Sequence, residues 1–267
     1  MNILEVFIGS LNFEIYGGYM YIDSHTHLDF FKENIDKAIK DIEDNKILTL
    51  ANSMDIESYI RNKEYSEKSK YIKACFGIHP WRASEFKGSL EKLIPYIEES
   101  EIIGEIGLDY LWVEDKSTFE AQRKVFYFIL EESIKRNKVV SLHTKDAEEE
   151  IYNILKKYSY NKAIVHWYSG DIKTLENLID LGCYFTISVD IGYSEKTYEV
   201  LSKIPMDKLL IETDGPTALE WVNGKYGYPS EIKNVYEKVA RYKDIDVSDL
   251  LGIIDVNFKR LLDKRKI

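Results

Sequence analysis

Cysteine is nearly missing from this 267-residue chain, which has only Cys75 and Cys183, each inside an apolar run. Two isolated thiols exclude a disulfide framework and point to buried free cysteines in a reducing cytoplasm. Proline is sparse as well, scattered at Pro80, Pro95, Pro205, Pro216 and Pro229. There is no Pro- or Gly-rich linker, no internal repeat and no low-complexity tract, so one domain over residues 20–267 is the simplest organisation. No run of about 18 apolar residues occurs, and neither a membrane span nor a membrane partner is expected. Residues 1–19 contain no Lys or Arg and no small-residue cleavage pattern, unlike a secretory signal. They read as an N-terminal extension, or as the result of a mis-called start with Met20 as the true one. Basic charge is also in deficit: 36 Lys and Arg against 46 Asp and Glu give a net charge of −10 and a pI near 5.2. That balance excludes a general polyanion binder, whose affinity comes from Lys and Arg at phosphates. A nucleic-acid substrate would have to be attracted by a metal centre and a local basic patch.

What the chain does have is core material, with 45% hydrophobic and 13% aromatic residues. Short apolar or β-branched runs predict strands over 21–23, 47–52, 71–76, 102–106, 139–143, 163–166, 183–188 and 209–212. Amphipathic stretches predict helices over 34–45, 56–70, 90–100, 118–137, 147–158, 172–181 and 196–204, with two more over 230–242 and 247–263. Strand and helix alternating in this way imply a parallel sheet with right-handed crossovers. Eight such units close a (β/α)8 TIM barrel, an α/β fold of about 250 residues. An open doubly wound sheet is the runner-up, but no Gly-x-Gly-x-x-Gly follows any strand. The stretch 214–229 lacks periodicity and reads as a long loop over the active-site face.

All five histidines fall at the carboxyl ends of predicted strands. His25 and His27 follow the first strand, two residues apart and so aimed the same way in extended chain. His79 follows the third, His143 ends the fifth and His166 ends the sixth. Glu105, Asp109 and Tyr110 close the fourth strand, and Asp214 ends the eighth. In a barrel these ends meet at one face, where active sites lie. Each residue alone has an ordinary structural role open to it, as a hydrogen-bonded core histidine or a helix cap. Together they are satisfied at once by a shared cation. Imidazole with carboxylate and no thiolate suits Zn, Mn, Fe, Co or Ni, and carboxylates also accept Mg. Four histidines and two carboxylates exceed the needs of one tetrahedral ion and suit two, bridged by a carboxylate and water. A metal-bound water is then the nucleophile, with Asp214 as general base.

The chain resembles the TatD family of metal-dependent hydrolases, in the amidohydrolase superfamily. The resemblance rests on Asp-Ser-His-Thr-His-Leu-Asp at 23–29, Gly-Ile-His-Pro at 77–80 and Gly-Glu-Ile-Gly-Leu-Asp-Tyr at 104–110. His143, His166 and Glu-Thr-Asp-Gly-Pro at 212–216 complete it, in the family's order. It implies a TIM-barrel deoxyribonuclease with two divalent ions, Mg, Mn or Zn. It makes His25, His27 and Asp214 ligands of one ion, His143 and His166 ligands of the other, and Glu105 the bridge and a catalytic residue alongside Asp214. It also puts His79 against substrate phosphate. Lys145, Asp109, Tyr110 and Trp167 are the further candidate substrate contacts. Where the family carries His-x-Arg, this chain has His143-Thr144-Lys145, which keeps the charge but loses the planar fork. Its usual Ala-Pro is Gly215-Pro216, and its Arg-rich loop is replaced by 217–228, where Lys225 is the only basic residue. Trp221, Tyr226 and Tyr228, with Trp112 and Trp167, are candidates to stack unpaired bases of single-stranded DNA ends. Partners in a defence or repair complex are a further expectation. Two other readings use the same residues: hydrolysis of an amide or ester, including aminoacyl-tRNA esters, and a non-catalytic partner-binding barrel.

Overall fold

The computed structural model describes residues 19–263, so the expected extension at 1–19 lies outside the described residues but for its last position. Eight strands run in chain order: β1 (Ile22–Thr26), β2 (Leu48–Asn52), β3 (Ile72–Cys75), β4 (Ile102–Asp109), β5 (Val139–Lys145), β6 (Ala163–Val165), β7 (Tyr184–Ile187) and β8 (Leu209–Ile211). Every named pair is parallel, in the orders β1-β2-β3 and β4-β5-β6-β7-β8. A parallel bridge between Phe76 and Ile103 joins the two groups on one side. On the other, Asp214 N donates to His25 O (2.9 Å) and His27 N to Gly215 O (3.0 Å). Asp23 accepts from both Thr213 N (2.9 Å) and Thr213 Oγ1 (2.6 Å) across the same seam. The chain is a TIM barrel.

The strands are buried along their full length except β3, as parallel strands covered on both faces must be. The covering helices are α1 (Ile35–Asn45), α2 (Ile56–Lys68), α3 (Pro80–Ala83), α4 (Ile94–Glu99), α5 (Phe119–Lys135), α6 (Glu148–Tyr158), α7 (Ile172–Leu181), α8 (Glu195–Lys203), α9 (Thr217–Asn223), α10 (Ile232–Lys243) and α11 (Val247–Leu262). Helix α5 shows why they dock. Val125, Phe126, Ile129 and Leu130 recur at helical spacing on one face and are all buried. Each such side chain contributes about 1.5–3 kcal/mol of burial, so Ile129→Ala would cost about 2–5 kcal/mol. Helix α2 starts at a capping box in which Asp55 accepts from Ser58 N and Ser58 Oγ accepts from Asp55 N. No described helix is long and apolar enough to cross a membrane. Both cysteines are free and buried.

Several elements differ from the sequence expectation. The first strand runs to Thr26, so His25 stands inside it; the fourth continues to Asp109 and the fifth to Lys145. The stretch 214–229 is not a bare loop. It holds α9, which follows Pro216 and stops at Gly224, whose φ of 77° is the left-handed turn glycine permits.

Candidate metal centre and its cleft

Glu105 is the hub, and the strand is built to present it. The β4–β5 register shifts between Ile103 and Ile106, a bulge that re-aims the side chain between them. Glycines flank the bulge because the neighbours come too close for a side chain. A Cβ at Gly104 would meet Asn52 Oδ1 at 2.1 Å, and one at Gly107, where φ is 153°, would meet His143 O at 2.0 Å. Glu105 is thereby 1% exposed at the barrel's centre.

Its two oxygens face different partners. Oε2 lies 3.3 Å from His25 Nε2 and 3.1 Å from His27 Nε2. Oε1 lies 2.7 Å from His143 Nδ1 and 3.1 Å from His166 Nε2, with His79 Nε2 at 3.6 Å. Asp214 Oδ1 adds a third donor to the first pair, 3.8 Å from His25 Nε2 and 3.6 Å from His27 Nε2. His25 and His166 stack with ring centroids 3.9 Å apart, placing the two pairs side by side.

Most of these rings are held from behind. His143 Nε2 donates to Asp109 Oδ2 (2.9 Å), His25 Nδ1 contacts Ser141 Oγ (3.1 Å), and His166 Nδ1 contacts Glu212 Oε1 (3.3 Å). Such partners fix the tautomer, so the opposite nitrogen turns a lone pair inward. His27 Nδ1 has no partner and its ring stacks on Phe30 instead. His25 and His27 bring their Nε2 atoms to 3.3 Å, as do His79 Nε2 and His143 Nδ1. His79 Nδ1 accepts from Trp81 N, so its Nε2 carries the proton and donates to His143 Nδ1; between the Nε2 atoms of His25 and His27 a cation would take the place of a shared proton. Among the described residues, three sets of donors converge closely enough for an ion: His25, His27 and Glu105; His79, Glu105 and His143; and His25, His166 and Glu212.

The electrostatics agree with a site short of positive charge. Burial would raise Glu105, but His79, His166 and His25 around it hold its carboxyl well below the usual range. Burial pushes His25 and His79 down to about 4. Burial also works against a charged His27 and His166, yet Glu105 and Asp214 raise His27 to about 9, and Glu212 with Glu105 raises His166 to about 10. Asp214 is raised to about 6, chiefly by burial, with His166 and His27 opposing.

Above this floor opens a cleft of about 840 Å³ lined by His79, Lys145, Trp167 and Asp214 among others. Lys145 reaches it from the end of β5 with Nζ bonded to Trp167 O and Ser169 Oγ. Asp109 and Tyr110 do not line it, and the expectation that they touch substrate is corrected here. Asp109 is fully buried, accepting from His143, from Trp81 Nε1 (2.7 Å) and from the backbone N–H groups of Leu111 (3.0 Å) and Trp112 (2.8 Å). Tyr110 points outward, its hydroxyl bonded to Glu150 (2.9 Å) and Arg123 (2.9 Å) in the helical layer. Tyr226 and Tyr228 also face away from the cleft. They pack on Phe31, and Lys37 sits 4.0 Å over the Tyr228 ring. Trp112, Trp167 and Trp221 do line the cleft. Trp81, which the sequence reading passed over, lines it too. Its signal was its place directly after His79-Pro80 at a strand end. Glu212 and Ser141 were likewise missed, since nothing local in sequence marks a residue that buttresses a histidine from another strand.

A parallel barrel with buried imidazoles and carboxylates gathered at the carboxyl ends of its strands defines a metal-dependent hydrolase. The chain belongs to the TatD family, whose model, described as TatD related DNase, matches residues 22–263. It is 28% identical over 256 residues to the uncharacterized metal-dependent hydrolase YabD of Bacillus subtilis (strain 168), covering 91% of this chain and 98% of that one. YcfH of Escherichia coli (strain K12), described in the same words, is 28% identical over 258 residues, covering 90% and 94%. The crystal structure of YJJV, a TatD homolog from Escherichia coli K12, shares the fold with a TM-score of 0.82 at 24% identity, over 92% of this chain and 98% of that one. A TatD family hydrolase from Entamoeba histolytica does so at 0.76 and 21%, over 91% and 98%.

Proposed function

We propose that this chain is a phosphodiesterase that hydrolyses DNA, trimming single-stranded ends, with two divalent cations (Mg, Mn or Zn) as cofactors, in the cytoplasm that its free thiols suit. The observation that carries the reading is the division of Glu105 between His25 and His27 on one oxygen and His143 and His166 on the other. A carboxylate so divided suits a bridge, with Asp214 completing the first set of donors. Bound divalent ions supply Lewis acidity, neutralising charge at phosphorus and acidifying a water. The chain's own residues do the rest. Asp214, at the cleft wall, accepts the proton of the attacking water at a carboxylate oxygen. His79, kept neutral by burial, donates a hydrogen bond to a phosphate oxygen. Lys145 brings the one Lys or Arg charge among the described cleft-lining residues. The family's description as related to DNases favours a phosphodiester over an acyl bond.

The test is a fluorescent single-stranded oligonucleotide incubated with the protein and Mg or Mn. Cleavage is expected, abolished by chelator and reduced about 10²- to 10⁴-fold in Asp214→Asn. No cleavage at any metal concentration, or an Asp214→Asn variant as active as wild type, would end the reading.

A further inference from the structure

Above the metal centre the cleft is built from tryptophan. All four tryptophans of the chain, Trp81, Trp112, Trp167 and Trp221, line it. They come from the segments that follow β3, β4, β6 and β8. In a ring of eight strands β4 and β8 stand opposite, so Trp112 and Trp221 rise on facing sides of the mouth. Each is 66% exposed. Flat indoles standing in water beside a reactive centre are a binding surface, since folding would otherwise favour covering them. Positive charge is as scarce here as tryptophan is plentiful. Lys145 is the only Lys or Arg among the described lining residues, and its amine is already bonded to Trp167 O and Ser169 Oγ. A long phosphate backbone would find no row of cations to follow, on a protein whose net charge is −10. The cleft volume of about 840 Å³ lies in the range of small-molecule sites, about 300–1,000 Å³.

We infer that the cleft engages one scissile phosphate with a base stacked on each side, so that the substrate is a dinucleotide or the last two nucleotides of a DNA single strand. Trp112 and Trp221 are the stacking faces and set this specificity. The inference rests on the phosphodiesterase reading and narrows it. Bases inside a duplex already have both faces covered, so paired ends are excluded until they fray. Affinity then comes from stacking and from the single phosphate at the metal centre, not from the rest of the strand.

The test is a fluorescence titration of the full chain in Mg with phosphorothioate oligothymidylates of about two, four and twelve nucleotides. Wild type, Trp112→Ala and Trp221→Ala are compared. Quenching of the cleft indoles reports binding without turnover. The expected result is a Kd that barely improves with length and a log–log salt slope of about −0.7 to −1.4, as for one or two phosphates. Either variant should bind about tenfold more weakly, within the range for one lost stack. A Kd that tightens steadily with length, a slope steeper than about −3, variants that bind like wild type, or no quenching at all would each overturn the inference. Cleavage of a long labelled strand by wild type separates the two levels. If that strand is cut while the titration fails, only the dinucleotide inference falls; if no strand of any length is cut, both fall.

Discussion

The floor of the cleft and its rim are made on opposite plans. On the floor His25, His143 and His166 each have a second partner behind the ring, and the glycines beside Glu105 leave the backbone no slack. At the rim Trp112 and Trp221 stand largely in solvent. A floor held this firmly fixes which bond is broken, because a loosely held donor set would lose metal affinity and geometry together. On the reading proposed above, a rim of exposed rings would select what is brought to that bond and could change while the floor does not.

Substitutions on either side can break that contrast. Glu105→Gln should have the largest effect, because one amide cannot serve both histidine pairs. Loss of bound metal by elemental analysis, together with loss of cleavage by about 10³-fold or more, is expected. Retention of both ions would sink the bridging role. Stripping metal with chelator should lower the melting temperature by about 8–16 °C, since a ligand at a thousand times its Kd stabilises by about 4 kcal/mol. Asp109→Ala, which touches no ion, should weaken metal binding about 10- to 100-fold through His143. The same change frees Trp81 Nε1 and the turn at Leu111 and Trp112, so indole fluorescence should shift as well. If metal affinity moves and fluorescence does not, floor and rim are independent. Lys145→Met should raise KM about five- to tenfold with kcat little changed, as loss of one phosphate contact would. Tyr228→Ala should leave kcat/KM unchanged while costing about 1–2 kcal/mol in urea unfolding, because its ring packs on Phe31 outside the cleft.

The floor was readable in the sequence and the rim much less so. A histidine or carboxylate closing an apolar strand is conspicuous, and the barrel brings all such positions to one face, so His25, His27, Glu105, His143, His166 and Asp214 could be grouped without coordinates. Asp109 and Tyr110 show where that method stops. With the fourth strand ended at 106 they were simply two polar residues near the site. With the strand running to Asp109, alternation turns Asp109 inward behind His143 and Tyr110 outward to Arg123 and Glu150. Loop 214–229 was opaque for a different reason. A helix of seven residues is too short to display a period, and its aromatics part company: Trp221 goes to the cleft, Tyr226 and Tyr228 to Phe31. Which way an aromatic in a loop turns is settled by neighbours far away in the chain.

The seam where the last strand meets the first has a consequence for the life of the chain. Thr26 bonds to Gly215 across 189 positions of sequence, and Asp214 beside it is delivered to His25 and His27 by the same closure. A polypeptide still on the ribosome, arrested anywhere between residues 27 and 214, holds His25 and His27 but not the Asp214 that faces them. With Asp214 in the proton-accepting role proposed above, a nascent molecule would stay idle until almost all of it has been made.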